Sequence, residues 1–358
     1  GQGMSGINKG VDWHKLARSR AFWLGAALAV LITVFCVNSI RSMGGEMFSY
    51  LVVDFFSTGI FMATPLILTS IGAVFSERSG VVNIGLEGMM LIGAFFGVMV
   101  SHFTGSAWLG VLGGMIAGGL AAALHAYVCI SHHANQTVSG VAINVFALAL
   151  TGFLLKAVFH RAGQTDRVTK LANWIMPDFF RNIPIIGDVL GSNTPPVYIA
   201  LILVVLAQLV LFRTPLGLRI RACGEHPEAA DTVGINVTGT RYFCVILSGV
   251  LAGLSGVTLS LGQLSLFKEG MTDGRGYIAI AAMIFGKWTP LGAFLASLFF
   301  GLATGFKFIS QSWNMTSIPT DFLLMLPYIL TMLALAGFVG RLTPPAASGL
   351  PYRRRGSV

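Results

Sequence analysis

The chain has 358 residues, 54% of them hydrophobic and only 10% charged, with a mean hydropathy of +0.77. Soluble domains carry about 25% charged residues, so a water-soluble globular enzyme is excluded in favour of a polytopic membrane protein. The net charge of +9 does not point to nucleic acid, because the charges fall at the ends of apolar runs, where they set topology.

Four basic residues, Lys9, Lys15, Arg18 and Arg20, precede a first apolar run at 21–37. That order predicts a span entered from the cytoplasm. No cleavable signal peptide is expected, since the run lacks a small-residue cleavage site; Gly1 to Gly3, ahead of Met4, are set aside. Residues 43–54 are mixed in character and read as a short interfacial helix at the outer surface. The second span, 55–75, contains Pro65, which a membrane helix tolerates when neighbours satisfy the freed carbonyl. A third span (about 82–103) and a fourth (107–130) are joined through Thr104-Gly105-Ser106. The fourth carries Gly113, Gly114, Gly118 and Gly119, small residues that let helices pack closely in lipid.

After a polar break at 131–136 comes a fifth span, 138–159. Residues 160–196, with Trp174, Pro177, Pro184, Pro195 and Pro196, read as an extracytoplasmic cap of short interfacial helices. The sixth span is 197–212, a polar cytoplasmic segment follows at 213–241, and the seventh span is 242–261. A short apolar piece, 277–285, is interrupted at 286–290 before a ninth span, 291–306. Asp321 opens a tenth that ends near Gly340, and the basic tail 341–358 holds Arg341, Arg353, Arg354 and Arg355. The last three are expected to meet anionic lipid or to be disordered.

The predicted fold is therefore all-α, with about ten transmembrane helices and both termini cytoplasmic. The inner segments so assigned hold 14 Lys and Arg against 9 outside, in keeping with a positive interior. The eighth segment is too short to cross ~30 Å at 1.5 Å per residue. It holds the second position of spans seven to ten, as the glycine-broken stretch 76–90 opens the second position of spans two to five. One group starts outside and the other inside, which predicts two inverted-topology halves; short or broken segments in matching positions point to a substrate path at mid-depth.

Stretch 76–90 carries Glu77, Arg78, Asn83 and Glu87 among Gly80, Gly85 and Gly88. A carboxylate this close to hydrocarbon is costly unless partnered or wetted, so Glu87 is a functional candidate. Asn83 and Glu87, four apart, are expected on one helix face. Two readings stay open: the pair lines a path for cargo, or Asn83 caps the third helix and Glu87 sits on its dipole-favoured first turn. Asn144, a lone amide in the fifth span, fits either a cargo contact or a bond between helices. His125 reads as a satisfied core histidine. Phe61, Phe146 and Phe285 can stack on a flat ring, although 26 phenylalanines make packing the usual role.

In 213–241, Pro227 suits the first turn of a helix, with Glu228 and Asp231 following where the dipole favours acid, and Gly234 ending it. A helix of about two turns results, with Ala229 and Ala230 small enough to dock. It is either a connector with a stable turn or a contact for a motor subunit. Cys36, Cys129, Cys223 and Cys244 show no metal-type spacing and no CxxC pair. No phosphate-binding loop occurs, since Gly286-Lys287 is followed by Trp288; there is no HExxH and no Gly-x-Ser-x-Gly. Any ATP that drives transport is expected to be hydrolysed by another chain.

Three stretches carry a resemblance: Glu77-Arg78-Ser79-Gly80-Val81-Val82-Asn83-Ile84-Gly85-Leu86-Glu87-Gly88, then Gly224-Glu225-His226-Pro227-Glu228-Ala229-Ala230 with Gly234-Ile235, and Gly276 to Gly286. Over roughly 63–340 the chain resembles the permease subunits of bacterial ABC importers for branched-chain amino acids, ribose and nucleosides. Its first motif is similar to that of the nucleoside or simple-sugar subgroup. In the second, His226 stands where the family usually has asparagine. Gly276 to Gly286 resembles the family's re-entrant or half-helix segment.

The resemblance implies an inner-membrane, multi-pass permease of a bacterial cell that is not itself an enzyme. Its 1–20 would be a cytoplasmic N-terminal segment, 21–340 the transmembrane permease domain, and 341–358 a cytoplasmic tail. Implied partners are a second homologous permease, ABC ATPase subunits, an extracytoplasmic solute-binding protein and membrane lipid, with no nucleic acid. No cofactor is implied in this chain; ATP and Mg would belong to the ATPase. The implied cargo is a nucleoside or related nucleobase compound, with simple sugars or branched-chain amino acids as the alternative. Asn83, Glu87 and Asn144 would belong to the substrate pathway, with no catalytic or metal residue. Glu225, Pro227, Glu228, Ala229, Ala230, Asp231 and Gly234 would couple to the ATPase. Two rivals from other classes are an ion-coupled secondary transporter, which lacks intramembrane acids beyond Glu87 and Asp54, and a membrane enzyme, which lacks a clustered constellation.

Overall fold

The structure is a computed structural model that describes residues 45–178, 183, 186–312, 325 and 343–353. The expected first and tenth spans and the extreme N-terminal segment lie outside the described residues. The chain divides into two compact units, one of 1–52 with 315–342 and one of 53–314 with 343–358. Of the first, only the opening turns of one helix and Met325 are described; all contacts below belong to the second.

The described chain is predominantly helical. The first helix, α1 (Gly45–Arg78), runs unbroken, so from Gly45 on the interfacial helix expected at 43–54 is continuous with the helix of the second span. Pro65 inside it is accommodated by bonds from neighbouring helical segments. The carbonyl of Phe61, four residues earlier, accepts from Gln263 Nε2 at 3.0 Å, and the Pro65 carbonyl accepts from Ser255 Oγ at 2.7 Å. After Arg78 the chain leaves the helix and re-enters at α2 (Leu86–Thr104). Gly105, at φ 69°, ends α2 with its N–H on the Ser101 carbonyl.

Ser106 accepts from Leu109 N to start α3 (Ala107–Ala126), which continues through a wider π-helical turn, Tyr127–Ser131. Asn135 caps α4 (Gln136–Phe159) through Val138 N. The cap differs from expectation. Its described part holds a helical residue at Asp178, a short helix, α5 (Ile186–Leu190), and an antiparallel pair of two-residue strands, β1 (Trp174–Ile175) and β2 (Ser192–Asn193), with Trp174 opposite Asn193. The stretch 165–171 is non-helical and pairs along the chain at 261–267: Thr165 N donates to Phe267 O, Val168 N to Ser265 O and Leu171 N to Leu261 O.

Pro195 and Pro196 open α6 (Pro195–Arg213), and Thr214 caps α7 (Pro215–Glu225). Then come α8 (Pro227–Thr232) and α9 (Val237–Val257), the latter capped by Asn236 and extended by a π-helical stretch, Thr258–Leu264. The eighth segment is short, as expected: α10 is Arg275–Phe285, followed after a sharp break by α11 (Pro290–Ser312).

Six of these helices are long and apolar enough to cross a membrane: 50–78, 86–104, 107–131, 136–159, 195–213 and 237–264. At the centre α9 crosses α2 and α3 with backbones in contact. A Cβ on Gly93 would strike the Gly253 backbone, and one on Gly256 would strike the Met90 carbonyl. The glycine face expected on the fourth span is used here, Gly114 lying against Gly253 and Gly118 against Gly249. Lipid offers no hydrophobic drive to bring helices together, so close van der Waals packing has to do it.

Candidate functional site

Between α1 and α2 the backbone is non-helical and enclosed. Ser76 Oγ donates to Val81 O at 2.7 Å, and Val82 N donates to Gln136 Oε1 at 2.7 Å. His125 is buried between Ser139 Oγ (2.9 Å) and Val82 O (3.2 Å), the satisfied core histidine that was expected. Asn83 is in this non-helical run, so the expected helix face shared with Glu87 does not exist. Its side chain is 3% exposed; Oδ1 accepts from Gly85 N at 3.1 Å and Nδ2 donates to Ser248 Oγ on α9 at 2.8 Å. That closes an Asx-type turn ahead of α2 rather than capping the helix directly.

Glu87 does occupy the first turn of α2, as expected. Its carboxylate crosses to the start of α10, where Oε1 accepts from Gly274 N at 2.9 Å and Oε2 from Gly276 N at 2.6 Å. The N-terminus of α10 thus receives a charged acceptor from a different helix. Gly276 has to be glycine: a Cβ there would lie 2.6 Å from the Glu87 Cα. Asn144, on α4, closes the other side. Its Oδ1 accepts from Gly88 N at 2.8 Å, and its Nδ2 donates to Ile84 O at 3.0 Å and to Tyr277 Oη at 2.8 Å. The structure therefore brings Glu87, Asn144 and the half-exposed Tyr277 together where two helices begin, while Asn83 sits behind them. Tyr277 was missed by sequence reasoning, although it stands inside the Gly276 to Gly286 stretch. Phe285 packs on Phe300, with ring centroids 5.9 Å apart, and belongs to an apolar cluster with Leu66 and Ala279.

The other expected site builds as follows. Pro227 opens α8, Glu228 is in its first turn, and Gly234 follows at φ 84°. Ala230 is buried with Cys223 and Val237, so it docks the helix on its own chain rather than on a partner. Burial there pushes the Cys223 thiol up from its ordinary value. Glu228, Ala229, Thr232, Val233 and Gly234 face outward, Val233 being 75% exposed. Glu225 turns back toward Arg78, 3.9 Å away, and accepts from Ala346 N at 3.2 Å.

That last contact belongs to a docked stretch of the tail that the sequence did not announce. Residues 343–353 pack on the chain: Ala347 N donates to Gly224 O, Gly349 N to Gly80 O, and the buried Arg241 donates to Leu350 O at 3.0 Å. The tail's backbone N–H groups and the Leu350 carbonyl make these bonds; Arg354 and Arg355 lie outside the described residues. Together the tail and the start of α8 line a groove of 510 Å³. Among the described residues no three His, Cys, Asp or Glu side chains converge as metal ligands. Polar groups meet as donors and acceptors around paired helix starts, an arrangement suited to binding and movement.

The family profile for the branched-chain amino acid transport system permease component matches residues 55–335. The chain belongs to this permease family. The permease is 46% identical over 298 residues to the guanosine ABC transporter permease protein NupQ of Bacillus subtilis strain 168, covering 81% of this chain and 93% of that one. It is 44% identical, with the same coverage, to the nucleoside ABC transporter permease protein NupC of Lactococcus lactis subsp. cremoris. A second Bacillus subtilis protein, the guanosine ABC transporter permease protein NupP, is 26% identical over 298 residues, covering 80% of this permease and 84% of that protein. No solved structure matches the chain.

Proposed function

We propose that this permease is one membrane subunit of an ABC importer that carries nucleosides across a bacterial inner membrane. The carrying observation is its 46% and 44% identity, over most of the chain, to two permeases named for guanosine and nucleosides. The two Bacillus subtilis relatives bear the same cargo name at very different distances from this chain, which supports a core of two distinct permeases. ATP and Mg act on separate ATPase subunits, and a solute-binding protein delivers cargo at the 160–196 side.

The full fold in this reading has about ten spans in two inverted halves, with both termini cytoplasmic. Geometry supports a path beside Glu87, Asn144 and Tyr277. Helix α10 has 11 residues, about 16 Å of rise, so its Glu87-bound start is half a hydrocarbon core away from its other end. Asn144 and Tyr277 then offer cargo hydroxyls and ring edges a donor and an acceptor, and Glu87 holds the half-helix in place. Coupling to the ATPase runs through Glu228, Ala229 and Val233, the outward residues of α8 and its end.

Uptake of labelled guanosine, uridine, ribose and leucine by the complete complex in proteoliposomes tests this. Nucleoside uptake that depends on ATP is expected. Glu228→Arg with Ala229→Arg should abolish it while the protein stays in the membrane. Ribose or leucine uptake alone overturns the cargo, and full uptake by the double variant overturns the coupling surface.

A further inference from the structure

The break between α10 and α11 is held in an unusual conformation by the end of α1. Lys287 and Trp288 both adopt left-handed backbone, at φ 54° and 53°, which non-glycine residues rarely do. Such strain persists only where surroundings over-determine it. The surroundings here are Glu77 and Arg78. Arg78 donates from Nε to the Trp288 carbonyl at 2.8 Å and from Nη2 to the Lys287 carbonyl at 3.3 Å. Glu77, 8% exposed, accepts from the Trp288 indole N–H, and Trp288 is 5% exposed. The third nitrogen of Arg78 faces Glu225 at 3.9 Å, next to the start of α8.

One guanidinium thus touches both the coupling segment and the base of the half-helix, whose far end is held by Glu87. We propose that Arg78, with Glu77 and Trp288, is the positioning residue that transmits displacement of the coupling segment to α10. A push at α8 moves the α7–α8 corner, Arg78 carries it to the 286–289 turn, and α10 moves as a short rod against Glu87, Asn144 and Tyr277. The fork geometry matters: a guanidinium can hold two carbonyls and a carboxylate at once, whereas an ammonium is a point charge. The inference rests on the importer reading above.

The test uses the complete complex in proteoliposomes and measures both uptake and ATP hydrolysis stimulated by loaded binding protein. Arg78→Lys keeps the charge and loses the fork; Trp288→Phe keeps the ring and loses the N–H to Glu77. For each, ATP hydrolysis should stay near wild type while uptake per ATP falls about tenfold, the size expected from losing one charged hydrogen bond. An unchanged ratio overturns the proposal, whether both activities persist or both fall together. Failure of both variants to assemble also overturns it, by assigning these contacts to folding alone. The ratio is taken with whichever cargo the wild-type complex carries, so a wrong cargo leaves this test intact. A wild-type complex whose ATP hydrolysis ignores the binding protein sinks the importer reading instead.

Discussion

Glu87→Gln isolates the bond between the two helix starts. In the native protein both carboxylate oxygens accept backbone N–H groups, from Gly274 and Gly276. Glutamine is isosteric but offers one acceptor, so one of those donors faces an NH₂ group instead. Leaving a buried donor unsatisfied costs about 1–3 kcal/mol, and a hydrogen bond to a charged group is worth more than a neutral one. Removing the negative charge from the start of α10 adds roughly 0.3–1 kcal/mol. The docked half-helix should lose about 2–4 kcal/mol in all, or on the order of 30- to 1,000-fold in its docking equilibrium. The α2, α3 and α9 crossing does not use Glu87, so the complex should still assemble. Hydrogen exchange read peptide by peptide should show faster exchange at 272–280 and little change at 86–126. Uptake should fall at least tenfold. Wild-type exchange at 272–280 together with wild-type uptake refutes the bridging role. Wild-type exchange with a raised KM alone would mean that the carboxylate binds cargo.

Two further outcomes follow from packing and from the docked tail. Gly256→Val should prevent assembly, because even a Cβ there strikes the Met90 carbonyl, whereas Gly105→Ala meets nothing and pays only for its φ of 69°, about 1 kcal/mol. Membrane yield and size-exclusion profile would separate them, and equal behaviour would contradict the crossing geometry. Deleting 343–358 removes the Leu350 acceptor of buried Arg241 and the donors on Gly80 and Gly224. Thermal unfolding of the complex should shift down by the equivalent of about 2–3 kcal/mol, since one of the lost bonds is charged. An unchanged melting profile would show the tail to be a passive passenger.

Much of the fold was legible because apolar run length and basic flanks act locally. Spans two to seven fall within a few residues of their expected places, and Pro227 and Gly234 bound α8 through effects confined to one turn. The short eighth segment was legible by length alone. What failed depended on partners distant in sequence. Asn83 was placed on a helix because its neighbours are apolar; Ser248, 165 residues away, and the turn with Gly85 hold it outside one. The cap is expected as short helices, and Ile186–Leu190 is one, but the N–H groups at 165–171 find acceptors at 261–267 and that part is not helical. Glu87 stood out as a costly carboxylate, but nothing local to it names Gly274 or Gly276 as the groups that repay the burial.

The two interruptions in helical structure also answer different physical demands. Backbone that leaves a helix at membrane depth must be enclosed in protein or must line water. At 79–85 it is enclosed: Ser79, Val81, Asn83 and Gly85 are buried, and Ser76, Gln136 and His125 supply the missing partners. At 265–274 Lys268, Glu269 and Asp273 are exposed. Charged side chains are stable there only in contact with water, so the second interruption is the solvated one and the first is sealed in protein. Tyr277 and Asn144 stand just beyond the second interruption, with Glu87 fixing the backbone at the start of α10. On the path proposed above, substitutions at Asn144 and Tyr277 should raise the KM for uptake with assembly intact, whereas those at Asn83, which is buried on Gly85 and Ser248, should lower membrane yield.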